Sequence, residues 1–301
     1  MTRYPIYQVD VFTDVPLQGN PAAVVFDADD MPASTMQAIA REMNLSETVF
    51  VLRPTHPEAH YRVRIFSPGQ EFPFAGHPTL ATAFAVLKKG DLFPDGRVPE
   101  VLYQECGIGI VPVRITGKET EGRVFTMTQG RPQYQESGVS RGLMAELLGC
   151  PEEALASGSF EVVSTGLPWL IAEIASQPAL SALKPNQGRI AEVCAGLETP
   201  GITVFCENPA SSTARIRLRT FAPVVGVAED PVCGSGNGCV AAWLARHRHA
   251  NKNTLAYTAE QGVEIGRHGW VHVAGTRAGD TWSIEVGGAA VSVLSGTITL
   301  P

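Results

Sequence analysis

Two stretches of this sequence echo each other in the same order, and that duplication constrains the fold more than any other feature. Arg62-Val63-Arg64-Ile65-Phe66-Ser67-Pro68 resembles Arg217-Leu218-Arg219-Thr220-Phe221-Ala222-Pro223. Shortly after, Glu71-Phe72-Pro73-Phe74-Ala75-Gly76-His77 resembles Glu229-Asp230-Pro231-Val232-Cys233-Gly234-Ser235, with a short insertion in the second copy. Each copy leads into a segment that is apolar on nearly every helical face, His77 to Lys89 in one and the run CVAAWLA in the other. A helix without a polar face belongs inside a structure. A strand, a loop and a glycine-led central helix therefore occur twice. Only two copies exist and the period is domain-sized, so this is no solenoid. The pattern predicts two similar α/β halves, each built around a buried helix.

The remaining patterning fills in those halves. Tyr7 to Phe12 alternates as a half-buried strand and Ala22 to Phe26 reads as its partner, across the turn Leu17-Gln18-Gly19-Asn20-Pro21. A helix is predicted from Pro32 to about Asn44, a strand from Thr48 to Leu52, and an alternating strand from Tyr61 to Phe66. In the second half strands are predicted at Val124–Thr128, Glu161–Ser164, Trp169–Ile174, Thr203–Cys206 and Ala214–Thr220. Helices are predicted at Arg141–Leu148, Gln187–Gly196 and Pro231–His247. Further strands follow near Leu255–Thr258, Glu264–Arg267, Val271–Ala274, Trp282–Val286 and Ala290–Thr299.

Composition narrows the function. With 301 residues, 44% apolar and 18% charged, the chain can bury sizeable cores. Its formal charge of −7 disfavours nucleic acid, which calls for a clustered basic surface. The one short basic cluster, Arg246 to His249, reads as a helix C-terminus, where cations complement the dipole. The opening MTRYPIYQVDVF turns straight into a strand pattern, and no apolar run is long enough to cross a membrane. None of the 6 cysteines forms a CxxC pair, so the expected setting is reducing and cytoplasmic.

The two glycine-led helix starts, around Gly76 and around Gly234, are where chemistry is expected. Free backbone N–H groups and the positive end of a helix dipole make anion sites there, and glycine lets a ligand approach the backbone. Facing each other across a shared cleft, two such ends could hold a small carboxylate; the plainer reading is that they are ordinary capped helix starts. His77 and Asp230 sit at these starts, and Glu47 at a helix-to-strand break. A carboxyl enclosed in a cleft is desolvated and becomes a competent general base. Taken alone, Glu47 reads more readily as a surface turn residue and Asp230 as a cap before Pro231. Cys233, a thiol at a helix start, is expected to have a lowered pKa and could act as nucleophile or base. Its counterpart is Ala75, so a racemase with a thiol on each face of the carbon lacks one of them. Gly234-Ser235-Gly236-Asn237-Gly238-Cys239 is a poor dinucleotide fingerprint, and no P-loop, HExxH or GxSxG occurs. No metal site is expected, since His247 and His249 lie on different helix faces.

Several segments together carry a family likeness. Asn44-Leu45-Ser46-Glu47-Thr48-Val49-Phe50, Phe74-Ala75-Gly76-His77-Pro78-Thr79 and Glu229-Asp230-Pro231-Val232-Cys233-Gly234-Ser235-Gly236-Asn237 resemble the signature segments of the phenazine-biosynthesis (PhzF-like) family. Val9-Asp10-Val11-Phe12 with Gly19-Asn20-Pro21, and Ser164-Thr165-Gly166-Leu167-Pro168-Trp169-Leu170, are similar to it as well. The resemblance spans nearly the whole chain. It implies the α+β, diaminopimelate epimerase-like fold, two pseudo-symmetric halves each with a curved mixed sheet wrapped around a central helix. The halves would be residues 1–122, completed by a strand returning within 285–301, and residues 123–284. It implies an isomerase without metal or organic cofactor, and a homodimer. Glu47 would move a proton between carbons of a small anionic or zwitterionic substrate, with His77 and Asp230 assisting. Asn20, Gly76, Cys233, Gly234, Ser235 and Gly236 would bind that substrate. An amino-acid racemase or epimerase using Cys233, or a non-catalytic binding protein on the same fold, are the alternative readings.

Overall fold

The computed structural model describes residues 1–93, 97–118, 122–156, 160–207 and 214–301. The chain divides into two units, one of Met1–Met127 with Gly287–Pro301, the other of Thr128–Val286.

In the first unit the order is β1 (Thr2–Val11), β2 (Asn20–Val25), α1 (Ala33–Met43), β3 (Glu47–Leu52), β4 (Tyr61–Phe66), β5 (Glu71–Phe72), α2 (Gly76–Lys89), β6 (Val101–Cys106), β7 (Gly109–Thr116) and β8 (Val124–Thr128). β1 and β2 are antiparallel, β2 and β3 parallel, β3 and β4 antiparallel, β4 and β6 parallel, and β6, β7 and β8 antiparallel. The final strand β17 (Thr281–Leu300) pairs with both β1 and β8, which closes the sheet on itself. α2 packs inside against β1, β2, β3 and β7. Its side chains are buried almost all round, as its sequence requires. α1 lies on the other face, where Met36, Ile39 and Ala40 join Phe50, Leu52 and Phe66 in one apolar cluster.

The second unit comprises β9 (Gln133–Glu136), α3 (Arg141–Leu148), β10 (Glu161–Ser164), β11 (Pro168–Glu173), α4 (Gln177–Ser181), α5 (Gln187–Gly196), β12 (Ile202–Glu207), β13 (Ile216–Ala222), β14 (Val227–Asp230), α6 (Gly234–His247), β15 (Thr254–Gln261) and β16 (Gly269–Ala278). The first unit's pairings recur: β11 and β12 are parallel, β12 and β13 antiparallel, β13 and β15 parallel, β15 and β16 antiparallel. Even the register repeats, for Arg62 faces Glu105 and Arg217 faces Glu260. α6 is the buried central helix, packed on β10, β11, β12 and β16. The outer face carries three helices, α3, α4 and α5, over an apolar cluster that includes Leu148, Leu180, Leu183 and Ile190. Each begins at a side-chain cap: Ser140, Ser176 and Asn186 accept from Leu143, Ala179 and Arg189 N–H.

Some elements differ from their sequence patterns for identifiable reasons. The helix expected from Pro231 begins at Gly234, and Val227–Asp230 is a strand; Cys233, not Asp230, is the cap. Glu264–Arg267 is no strand, because Gly262 and Gly266 at φ 81° and 68° turn the chain around a single 3₁₀ turn at Val263–Ile265. The two last predicted strands are one, running straight through Gly287 and Gly288. The hairpin β6–β7 was not predicted; its second strand alternates between buried and exposed residues on either side of Pro112. The basic cluster ends α6 and is answered by carboxylates, His247 and Arg246 by Glu161 and Arg248 by Glu173. No helix among the described residues is long and apolar enough to cross a membrane.

Candidate active site

In the first unit, the loop after β1 sets the site's edge. Gly19 sits at φ 63°, and a Cβ there would lie 2.2 Å from the Val11 carbonyl oxygen. Leu17 N–H donates to Asp10 Oδ2 at 2.7 Å, tying the loop to the buried Asp10. The tight return places Asn20 at the start of β2, buried and facing Val11. β2 then brings Ala22 opposite Glu47 on β3. Glu47 closely follows the end of α1, where Asn44 caps the helix in the left-handed region at φ 51°.

The Glu47 side chain is 19% exposed and its Oε2 lies 3.4 Å from His77 Nε2. That oxygen is itself shut from solvent and, among the described residues, has no hydrogen-bond donor. Burial lifts the Glu47 carboxyl to about 7, against a hydrogen bond from Ser46 that pulls it down. His77 is buried in the first turn of α2, and the cap residue Ala75 has no side chain to answer the helix's leading N–H groups. Gly76 is closely packed, since a Cβ there would meet Met127 Cε at 3.0 Å. A carboxyl that titrates near neutrality can both take and return a proton.

In the second unit, the start of α6 is held by a network. Cys233 Sγ accepts from Gly236 N–H at 3.3 Å and lies 3.4 Å from Ser235 Oγ. Trp169 Nε1 donates to Ser235 Oγ at 3.0 Å. Gln261 Oε1 accepts from Cys233 N–H and from Asn237 Nδ2, while its Nε2 donates to the Asp230 carbonyl. Val232 N–H donates to Asp230 Oδ1 at 3.1 Å. Gly236 is sterically required: a Cβ would lie 2.7 Å from Thr203 Oγ1. The expectation of a lowered Cys233 pKa is reversed here. Burial first, and the nearby Asp230 carboxylate second, push the thiol well above its ordinary value. Helix-start hydrogen bonds oppose this and lose, because the sulfur is cut off from water.

The sequence therefore named the residues of both clusters, with Glu47 and His77 in contact in one and Asp230, Cys233, Gly234, Ser235 and Gly236 gathered around a helix start in the other. It gave no role to Gln261 and Asn237, whose amides fix that start, or to Trp169. Asn237 and Trp169 carried a signal, as members of segments that bear the family likeness; Gln261 carried none. Among the described residues no group of three or more His, Cys, Asp or Glu is placed to hold a metal ion.

A sequence model described as "Phenazine biosynthesis-like protein" matches residues 9–296. The chain belongs to this family. Within the phenazine biosynthesis-like family it is 36% identical to the trans-2,3-dihydro-3-hydroxyanthranilate isomerase of Pseudomonas aeruginosa, over 98% of this chain and 99% of that one. It is 34% identical to the protein named Antisense-enhancing sequence 1 of Schizosaccharomyces pombe, over 98% of this chain and 99% of that one. The crystal structure of a PhzF-family protein from Bacillus anthracis superposes with a TM-score of 0.90 at 28% identity, covering 100% of both chains. The fold is thus the α+β, diaminopimelate epimerase-like one, and the chain is an isomerase of the PhzF type.

Proposed function

We propose that this isomerase moves a proton between two carbons of a small carboxylate-bearing substrate, using its own side chains and no cofactor. The observation that carries the reading is the Glu47 carboxyl, buried against His77 and lifted to about 7. As the carboxylate it takes a proton from carbon, and the electron pair of the C–H bond moves into the adjoining unsaturated system. As the acid it returns that proton to a second carbon, so Glu47 ends in its starting form. His77, at 3.4 Å, orients the carboxyl and supports its charge. The leading N–H groups of α2 serve the substrate's carboxylate. Asn20 adds a further contact from the same unit, and the roles of Asp230, Gly234, Ser235 and Gly236 rest on the family likeness alone. A reading with Cys233 as the base draws no support from a thiol held neutral by its surroundings.

The Pseudomonas aeruginosa relative makes trans-2,3-dihydro-3-hydroxyanthranilate the first substrate to test. In deuterated water, the protein should incorporate deuterium at carbon. Glu47→Gln should lower turnover by at least about 10³-fold while substrate still binds, since an acid/base group contributes roughly 10²–10⁴. Full turnover by the Glu47→Gln protein would sink the assignment. The family likeness is also the basis for reading the protein as a homodimer, and the lack of CxxC pairs for placing it in the cytoplasm.

A further inference from the structure

The internal duplication makes one half a reference for the other, and the outer faces of the two units differ in how they meet the arginines of the repeated strand. In the second unit both arginines of the repeated strand have side-chain acceptors, although among the described residues the Arg217 Nε is buried without one. Arg219 Nε and Nη2 donate to Glu229 at 2.8 Å each, and its Nη1 donates to the carbonyls of Leu180 and Leu183 at 3.1 and 3.4 Å. Arg217 Nη2 donates to Glu264 at 2.8 Å and its Nε lies 3.6 Å from Glu260. Leu180 of α4 and Leu183 just beyond it thus supply both buried side chains and acceptor oxygens on this face.

In the first unit the same strand carries Arg62 and Arg64. Arg64 repeats the fork, donating from Nε and Nη2 to Glu71 at 2.7 and 2.6 Å. It also stacks over Phe66 as Arg219 does over Phe221. The first unit's outer helix α1 packs on β3 and β4 as α4 packs on β12 and β13, yet among the described residues nothing accepts from Arg64 Nη1. Among the described residues the Arg62 guanidinium has no hydrogen-bond acceptor either, and its Nε is buried. Beside these two arginines is a cavity of about 670 Å³, within the size range of metabolite pockets. Its lining includes both arginines and the apolar side chains of Met31, Met36, Leu52 and Phe72, and none of the residues of the proton-transfer site. The carboxylates on its wall are already committed. Asp29 pairs with Arg53, and Glu71 with Arg64. Glu105 accepts from Thr55 N–H and Oγ1 and from His56 N–H, and feels the Arg62 charge without bonding to it.

We propose that this cavity is a second binding site, for a small monocarboxylate with an apolar tail. The carboxylate would take the place of the Leu180 and Leu183 carbonyls, accepting from Arg62 and Arg64 Nη1. The tail would lie on the methionines, Leu52 and Phe72, where the second unit has leucine side chains. The Arg62 Nε, shut from solvent without an acceptor, carries a desolvation cost that an incoming oxyanion relieves, which is why the ligand is an anion and not a neutral apolar body.

Cys106 supplies the test, because it is a free, half-buried thiol on the cavity wall, while Cys150 is a free, half-buried thiol in the other unit. Native protein is alkylated with N-ethylmaleimide, and each cysteine's labelling rate is read by peptide mass spectrometry. Hexanoate should slow Cys106 saturably, by about sixfold at five times a Kd on the order of 1 mM, and leave Cys150 unchanged. Hexan-1-ol at the same concentration should protect little, and Arg62→Gln should remove the protection by hexanoate. No protection at about 50 mM hexanoate would overturn the proposal. So would equal protection by the alcohol, or a Cys106 rate that ignores hexanoate and falls with protein concentration, which would mean a second copy covers the face. The comparison of acid and alcohol needs only the wild-type protein, so the test survives if the variant does not fold.

Discussion

At the scale of single residues, Glu47 links stability and activity. Its folded-state pKa of about 7 stands above the ordinary 4.5, so the folded protein holds this proton more tightly than the unfolded chain. The associated stability is fully present below about pH 4.5 and is lost as pH rises through about 7. The ionised carboxylate then destabilises the fold by on the order of 3 kcal/mol, less whatever its residual solvent contact relieves. Glu47→Gln is therefore expected to raise the midpoint of thermal unfolding by roughly 5 °C at pH 9 and by little at pH 4. Calorimetry across that range checks it, and a shift independent of pH would show that the carboxyl is not perturbed. The same group should appear in catalysis as a kcat/KM that climbs as pH rises through about 7. The sequence identified Glu47 only through its family segment. Its spacing fits a solvated turn more readily, and what distinguishes the two is burial by α2, a contact between residues far apart in the chain. Cys233 teaches the converse: its helix-start position was legible, but the burial and the Asp230 charge that reverse its acidity were not.

Among the elements, those whose pattern reports burial directly were the legible ones. The helices Arg141–Leu148 and Gln187–Gly196 and the strands Val124–Thr128 and Glu161–Ser164 occur where their apolar periods placed them. Elements punctuated by glycine or proline were harder, because the same residue can end a strand or permit a close approach within it. Gly287 shows the second use. A Cβ at this position in β17 would stand 2.4 Å from Thr126 Oγ1 and 2.7 Å from the Phe125 carbonyl oxygen, so glycine lets β17 lie against β8. Gly296, in the same strand, has nothing within 4 Å of its would-be Cβ. Gly287→Ala should cost about 1–3 kcal/mol in urea unfolding, through a forced shift of backbone. Gly296→Ala should cost little or be slightly stabilising. Equal effects at the two positions would refute the packing account and leave only a loss of unfolded-chain entropy, which both substitutions share.

For the molecule as a whole, the informative fact is how the chain is divided. The second unit is one continuous segment, whereas the first is closed by residues from the far C-terminus. β1 is sandwiched in its sheet between β2 and β17, and the pairing with β17 extends from Thr2 opposite Leu300 to Val11 opposite Ala290. Folding of the first unit must therefore await β17, while the strands of the second find their partners within its own span. A protein ending at Val286 should keep the second unit and lose the first. β1 would expose an unpaired edge, and the sheet could no longer close around α2, whose apolar surface needs cover on all sides. Hydrogen exchange would read this directly: amides of β1, β2 and α2 should exchange close to the unfolded rate, while those of β12, β13 and α6 stay protected. Because β3 and α2 hold Glu47 and His77 at 3.4 Å, proton transfer should vanish with that protection. If the α2 amides remained protected in the truncated protein, the sheet of the first unit would not need its returning strand, and the closure inferred from β17 pairing would not be what holds the Glu47–His77 contact together.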